Sequence, residues 1–333
     1  MRRFLPDTFT ILLVCTVLLA SILPARGAFA GYFGIAADIA IALLFFLHGA
    51  RLPRDVVVEG VLHWRLHLFI LLTTFAVFPL LGLALGVLSP EILPQPLYFG
   101  ILFLCVLPST VQSSIAFTSI AGGNIPAAIC AASASNIFGM ALTPLLAGLL
   151  FSVGGHGGFS WNTIEQILLQ LLAPFAAGQV LQPWIGAWIR SRKKLLNPVD
   201  RGSILMVVYL AFSTAVTEGL WHNFSVADIA LVIVIDMALL AAVLCFTMLG
   251  SRRLGFNKAD EITITFCGSK KSLVSGIPMA NVIFAGQSIG AIVLPLMIFH
   301  QIQLMTCAVI AQRYAAARRQ AVAEDVKAMA KPA

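Results

Sequence analysis

Two adjacent lysines, Lys270 and Lys271, stand in the middle of the stretch FCGSKKSLVSGIP at residues 266–278, with apolar chain on either side. An ammonium can hold an anion or pair with a carboxylate, and a neutral lysine can act as a base. Ser269 and Ser272 flank the pair, and Gly268, Gly276 and Pro278 weaken any helix built there. On insertion scales each lysine costs about 2.5–3.5 kcal/mol at the centre of an isolated membrane helix. The pair therefore needs a polar or wet site, or a counter-charge. Asp38 and Asp236 also lie inside apolar runs and are the counter-charge candidates.

The enzymatic reading of the same residues is a Ser/Lys nucleophile pair, with Ser269 or Ser272 beside a neutral lysine. Neighbours in sequence on one helix point in different directions, so the geometry is poor, and the chain is not expected to be an enzyme. No GxxxxGK[ST] loop occurs, so energy for any transport comes from a gradient rather than ATP.

The elements that must carry these residues are membrane helices. Hydrophobic residues make up 59% of the 333 residues and charged ones 11%, far from the roughly 25% charge of soluble domains. The six cysteines each lie in apolar runs without CxxC spacing, so neither a disulfide framework nor a zinc site is indicated. Runs of about 20 apolar residues, enough to cross a bilayer, fall near 8–24, 33–50, 66–88, 97–121, 125–152, 164–189, 203–220, 227–250, 261–284 and 288–312. The first is read as a helix that stays in the membrane, not as a cleaved signal. With ten spans, 18 of the 21 basic residues fall on one side, Arg26 on the other, and the lysine pair between. The positive-inside rule then places both termini in the cytoplasm of a multi-pass protein of the cell membrane, read as a cell inner membrane. The net charge of +7 faces an anionic leaflet; nucleic acid is not an expected partner.

The Gly-rich linker at 153–163 separates a first five-helix repeat, 1–152, from a second, 164–312, followed by a cytoplasmic tail at 313–333. An odd number of spans per half inserts the second half upside down, the inverted repeat of many secondary transporters. The fourth span of each half supports this. FLCVLPSTVQSSIAFTSIAGG and TITFCGSKKSLVSGIPMANV both pass from apolar through a breaking residue to a polar cluster and back. Pro108 and Gly268 are the predicted break points. The second half-helices then start near Ser113 and Ser272, and their N-termini present unpaired N–H groups to an anion.

The motifs RFLPD (3–7), LPSTVQSS with AGGN (107–124), LTPLL (142–146), FCGSKKSLVSGIPM (266–279) and LPLMIFHQIQ (294–303) give the chain a resemblance. It resembles the bile acid:sodium symporter superfamily over nearly its whole length, and within it the branch typified by sodium/bile acid cotransporter 7. The resemblance implies an all-α membrane protein of ten helices in two inverted repeats of five. It further implies a panel of helices one, two, six and seven, a core of the rest, and broken, crossing helices four and nine. It also implies sodium sites on helices four, five and nine, which match Ser113, Ser114, Ser135 and Asn136 here, with Ser133 nearby. Where sodium-binding relatives carry Glu, Gln and Asn on helix nine, this sequence has Cys267-Gly268-Ser269-Lys270-Lys271-Ser272.

These readings converge on a secondary active transporter of a small organic anion, in which Lys270 and Lys271 replace bound sodium. Its substrate and ion site draws on Ser109, Thr110, Gln112, Ser113, Ser114, Ser135, Asn136, Ser269, Lys270, Lys271, Ser272, His300 and Gln303. No cofactor is expected beyond a sodium ion or proton as coupling ion. The alternatives are a sodium-coupled symporter of the bile-acid type and a membrane regulator of calcium homeostasis that carries no flux. Substrate identity and oligomeric state are not encoded in these motifs.

Overall fold

The computed structural model describes residues 8–51, 63–153, 161–217, 219, 224–284 and 289–329. Among them it is helical throughout. The helices are α1 (Thr8–Ile22), α2 (Gly27–Arg51), α3 (Trp64–Leu72), α4 (Phe78–Ala84), α5 (Gln95–Val106), α6 (Gln112–Ala121) and α7 (Ile125–Val153). They continue with α8 (Trp161–Ser191), α9 (Lys193–Thr217), α10 (Val226–Arg253), α11 (Lys258–Gly268), α12 (Leu273–Ile283) and α13 (Ile289–Met329). A π-turn over Thr73–Val77 joins α3 to α4, so 64–88 forms one apolar span. By length and hydropathy five helices among the described residues can cross a membrane: Gly27–Arg51, Trp64–Leu88, Ile125–Phe151, Val226–Arg253 and Ile289–Gln320. Shorter apolar helices accompany them, giving a multi-pass membrane protein.

Several helices overshoot the apolar runs that announced them. α9 starts at Lys193 and α11 at Lys258, because charged residues at the membrane edge continue a helix at little cost. α13 does not end near residue 312 but runs on through the Ala-rich, charged stretch to Met329. Most of the Gly-rich linker, including His156, lies outside the described residues, as does the RFLPD motif.

Local chemistry sets the ends that matter. Ser225 caps α10 in a reciprocal box with Asp228: its Oγ accepts from the Asp228 N–H, and the carboxylate accepts from the Ser225 N–H. Asn257 caps α11 by accepting from the Asp260 N–H at 2.9 Å. α6 stops at Gly122, whose φ of 79° closes the left-handed cap.

α1, α2, α8 and α9 pack on one another, and α3–α7 with α10–α13 form a second group. The closest approach in the first group is between α2 and α8. A Cβ on Gly178 would lie 2.1 Å from the Phe46 carbonyl oxygen, and one on Gly49 2.1 Å from that of Phe175. Small residues let the two backbones touch. In the second group a Phe cluster around Phe103, Phe151 and Phe284 packs edge to face. That packing leaves the interruptions between α5 and α6, and between α11 and α12, against each other at the centre.

Candidate functional site

Both interruptions fall where the sequence placed them, at Leu107–Val111 and Ser269–Ser272. Pro108 has no N–H for the carbonyl four residues back, so α5 ends. Carbonyls at such a break would be costly orphans at this depth, yet those of residues 104–109 each have a donor. The Leu104 oxygen accepts from the Leu107 N–H at 3.3 Å. The Val106 oxygen accepts from the Thr143 hydroxyl at 2.8 Å. The Pro108 oxygen accepts from the Ser272 N–H at 2.9 Å, and the Ser109 oxygen from Asn136 Nδ2 at 2.9 Å.

The two that remain, Cys105 and Leu107, both accept from Lys271 Nζ at 2.8 Å. The third acceptor of that ammonium is the Thr74 carbonyl, also at 2.8 Å. Thr74 is free for a local reason. In the π-turn the Phe78 N–H bonds to Thr73, and the next residue, Pro79, has no N–H to give. An ammonium has three donors, and all three are used. The chain around Lys271 is held as well: Gln303 Oε1 accepts from its N–H, and Gln303 Nε2 donates to its carbonyl, both at 2.9 Å. His300 Nδ1 lies 2.9 Å from the same Nε2.

Lys270 points elsewhere. Its ammonium is fully buried, has no hydrogen-bond partner, and sits 3.9 Å from the centre of the Phe117 ring and 5.5 Å from that of Phe266. Lys271 also lies over a ring, 4.1 Å from the centre of Phe78, so the two lysines differ in that only Lys271 is saturated by backbone oxygens.

Neither counter-charge candidate is paired with a lysine in this conformation. Asp38 on α2 is exposed and accepts from Asn281 Nδ2 of α12 at 3.3 Å. Asp236 is fully buried on α10 with both carboxyl oxygens unpartnered. Ion pairs among the described residues are Arg252–Glu261 and Lys258–Glu261, at the far end of α11. The physical reason is competition: carbonyls freed by the break satisfy Lys271 without a second buried ion.

The polar residues of α6 and α7 tie the interruptions together. The Ser109 hydroxyl donates to the Cys267 carbonyl at 2.6 Å, and its N–H donates to the Ser135 hydroxyl at 3.0 Å. The Ser114 hydroxyl donates to the Phe266 carbonyl at 3.1 Å. Thr110 bonds with the hydroxyls of Ser113 and Ser114. Asn136 Oδ1 accepts from Ser275, and Ser269 donates to the Thr265 carbonyl. Ser272 caps α12, accepting from the Ser275 N–H. α6 begins differently: Val111 offers no side-chain cap, Gln112 is exposed and Ser113 half-buried. The two half-helices start at Gln112 and Leu273, one residue from the expected positions.

The description SBF-like CPA transporter family belongs to a family model that matches residues 7–316. The chain belongs to that family. It is 57% identical to an uncharacterized protein of Pseudomonas aeruginosa over 322 residues, 96% of each chain. It is 53% identical to the Escherichia coli protein named Putative symporter YfeH over 308 residues, 92% of each. It is 30% identical to sodium/bile acid cotransporter 7 of Rattus norvegicus over 274 residues, 80% of this chain and 79% of that one. The SBF-like family is a family of transporters of the bile acid:sodium symporter type, not of enzymes, and its members handle small molecules in a bilayer.

Thr74 and Thr143 are among the contributors in this SBF-like chain that escaped the sequence reading. Thr74 gives a carbonyl to Lys271, and Thr143 gives its hydroxyl to Val106. The signal for Thr74 was the order Thr-Thr-x-x-x-x-Pro in LLTTFAVFP, a proline placed to free a carbonyl inside an apolar helix. Thr143 carried a weaker one: a hydroxyl next to Pro144.

Proposed function

We propose that the chain is a secondary active transporter of a small organic anion, with Lys271 acting as a built-in cation where relatives named for sodium use a dissolved one. In this reading all ten helical segments span the bilayer as two inverted repeats of five, both termini are cytoplasmic, and access alternates as the two packed groups rock around the paired breaks. The observation that carries it is the triple carbonyl grip on Lys271 Nζ, from Thr74, Cys105 and Leu107 at 2.8 Å each. That oxygen cage suits a monovalent cation, and a protonated lysine supplies the charge from within the chain.

A fixed positive charge does for an anion what a bound metal would. It acts across a low-dielectric site where screening is weak. The uncapped start of α6 adds its N–H groups and the positive end of its dipole. Gln112 and Ser113 stand there to fix the orientation of the cargo, and in this reading the anion docks against that helix end within the field of Lys271.

Sodium coupling is the second reading, favoured by the name of the cotransporter 7 relatives. Ser113, Ser114, Ser135 and Asn136 are its candidate ligands. In this conformation Ser114, Ser135 and Asn136 are engaged in bonds between α6, α7 and the breaks, so a sodium ion would have to displace them.

Counterflow in proteoliposomes separates the two. Purified protein is loaded with unlabelled taurocholate, succinate or an aryl sulfate, and uptake of the labelled anion is followed in sodium or choline buffer. Equal uptake in both buffers, abolished in Lys271→Ala, is the expected result. A strict sodium requirement in the wild type sinks the fixed-cation reading, and no uptake of any anion sinks the transport reading itself.

A further inference from the structure

Among the described residues three acids are buried, and Asp236 differs from Asp260 and Glu261 in having no partner for its carboxyl. It lies midway along α10, is fully buried, and neither carboxyl oxygen has a hydrogen-bond donor. An ionised carboxylate buried without a protein donor costs far more than one neutralised by a proton. No cation relieves it, since Lys271 spends its donors on three carbonyls and Lys270 rests on Phe117.

The groups around Asp236 give its charge a target. On α5 Cys105 is within electrostatic reach of both Asp236 and Lys271. Tyr98 on the same helix is the next titratable group along, and Cys105 acts on it. The titratable groups of α11 and α13 near the break, Cys267 and Cys307, gather instead around Lys270. His67 of α3 has His63 as its electrostatic neighbour. His300 of α13 is bonded to Gln303. Asp236 and Lys271 thus share Cys105 as a neighbour, and Lys271 Nζ bonds the Cys105 carbonyl.

We propose that Asp236 is a proton-binding site that couples anion movement to a proton gradient. In the conformation described here it holds the proton as a neutral carboxyl, and the positive charge of Lys271 is left uncompensated for an incoming anion. When the proton leaves to water on the other side, the carboxylate cancels that field and the anion is released with it. One proton and one anion move in the same direction, with no bond made or broken except that to the proton. The inference rests on the anion-transport reading but places the coupling ion on a residue apart from the oxygen cage.

Two measurements on the reconstituted full-length protein test it. Infrared spectroscopy at neutral pH reads the C=O stretch of a protonated carboxyl without any cargo. The band is expected in the wild type and is expected to be missing in Asp236→Asn, with Asp38→Asn as the control that keeps it. Accumulation of labelled taurocholate and succinate is then followed with and without an imposed pH gradient in sodium-free buffer. Wild-type accumulation is expected to rise by up to about tenfold per pH unit for a monovalent anion, and Asp236→Asn to accumulate the same amount with and without the gradient. A wild type without the carboxyl band overturns the proposal, and so does a band accompanied by uptake indifferent to the gradient. A band with no counterflow of any anion overturns the transport reading, and the coupling with it, but not the proton on Asp236.

Discussion

The Ser109 hydroxyl donates to the Cys267 carbonyl at 2.6 Å across 158 residues of sequence, joining the two helix breaks by a buried bond. Ser109→Ala removes the donor and strands a buried carbonyl at the last turn of α11. The loss is expected to be about 1–3 kcal/mol, read as a lower melting temperature in detergent. Ser113→Ala is the comparison, since that hydroxyl is half-exposed and faces Thr110 rather than the other break. Equal melting temperatures for Ser109→Ala and the wild type would show that the breaks are held by other contacts.

Lys271→Met removes one charge and leaves three carbonyls without a donor. At about 1–3 kcal/mol for each unsatisfied buried group, the variant is expected to lose several kcal/mol and to express poorly. Lys271→Arg does not rescue it, because a planar guanidinium cannot aim at three oxygens that converge on one point. Thermal unfolding of both variants checks this, and a Lys271→Met protein as stable as the wild type would remove the cage from the account of the fold.

What the sequence disclosed and what it hid differ in physical kind. The breaks at Pro108 and Gly268 were legible because proline and glycine act on the local backbone, whatever surrounds them. The importance of the lysine pair was legible because two ammoniums in an apolar run demand an explanation. Their partners were not. Lys271 is satisfied by main-chain oxygens of Thr74, Cys105 and Leu107, and a carbonyl has no residue type to read. Only where each helix loses its own donors makes those oxygens available, and that depends on a π-turn and on Ser135 claiming the Ser109 N–H. Charge alone offered Asp38 and Asp236 as candidate partners, whereas in this conformation the breaks supply Lys271 with acceptors without a second buried ion.

Gly178 on α8 and Gly202 on α9 are predicted to respond in opposite directions to the same substitution. A Cβ at Gly178 would meet the Phe46 carbonyl oxygen at 2.1 Å and the Ala50 nitrogen at 2.8 Å, both backbone atoms of α2 that cannot swing aside. Gly178→Ala is expected to push α2 and α8 apart and cost about 1–3 kcal/mol. At Gly202 nothing lies within 4 Å of the added atom, and the position is helical. Gly202→Ala is expected to stabilise by about 0.5–1 kcal/mol. Melting temperatures of the two variants, measured side by side, decide it; a loss at both would show that α9 is also closely covered.

Lys270→Met is expected to move stability the other way from Lys271→Met. The Lys270 ammonium is fully buried without a hydrogen-bond partner, and its nearest charge-accepting neighbour is the Phe117 ring at 3.9 Å. A cation–π contact is worth about 0.5–2 kcal/mol, whereas a buried ion costs several. Methionine fills the same slot without the charge, so the variant is expected to melt higher, by the equivalent of about 1–4 kcal/mol. A charge kept at that cost has a use outside the resting fold, and anion counterflow is expected to fall in the same variant. Higher stability with lost transport places Lys270 on the path of the anion. Lower stability, matching Lys271→Met, would mean that the ring contacts hold this helix break together and that both lysines are structural.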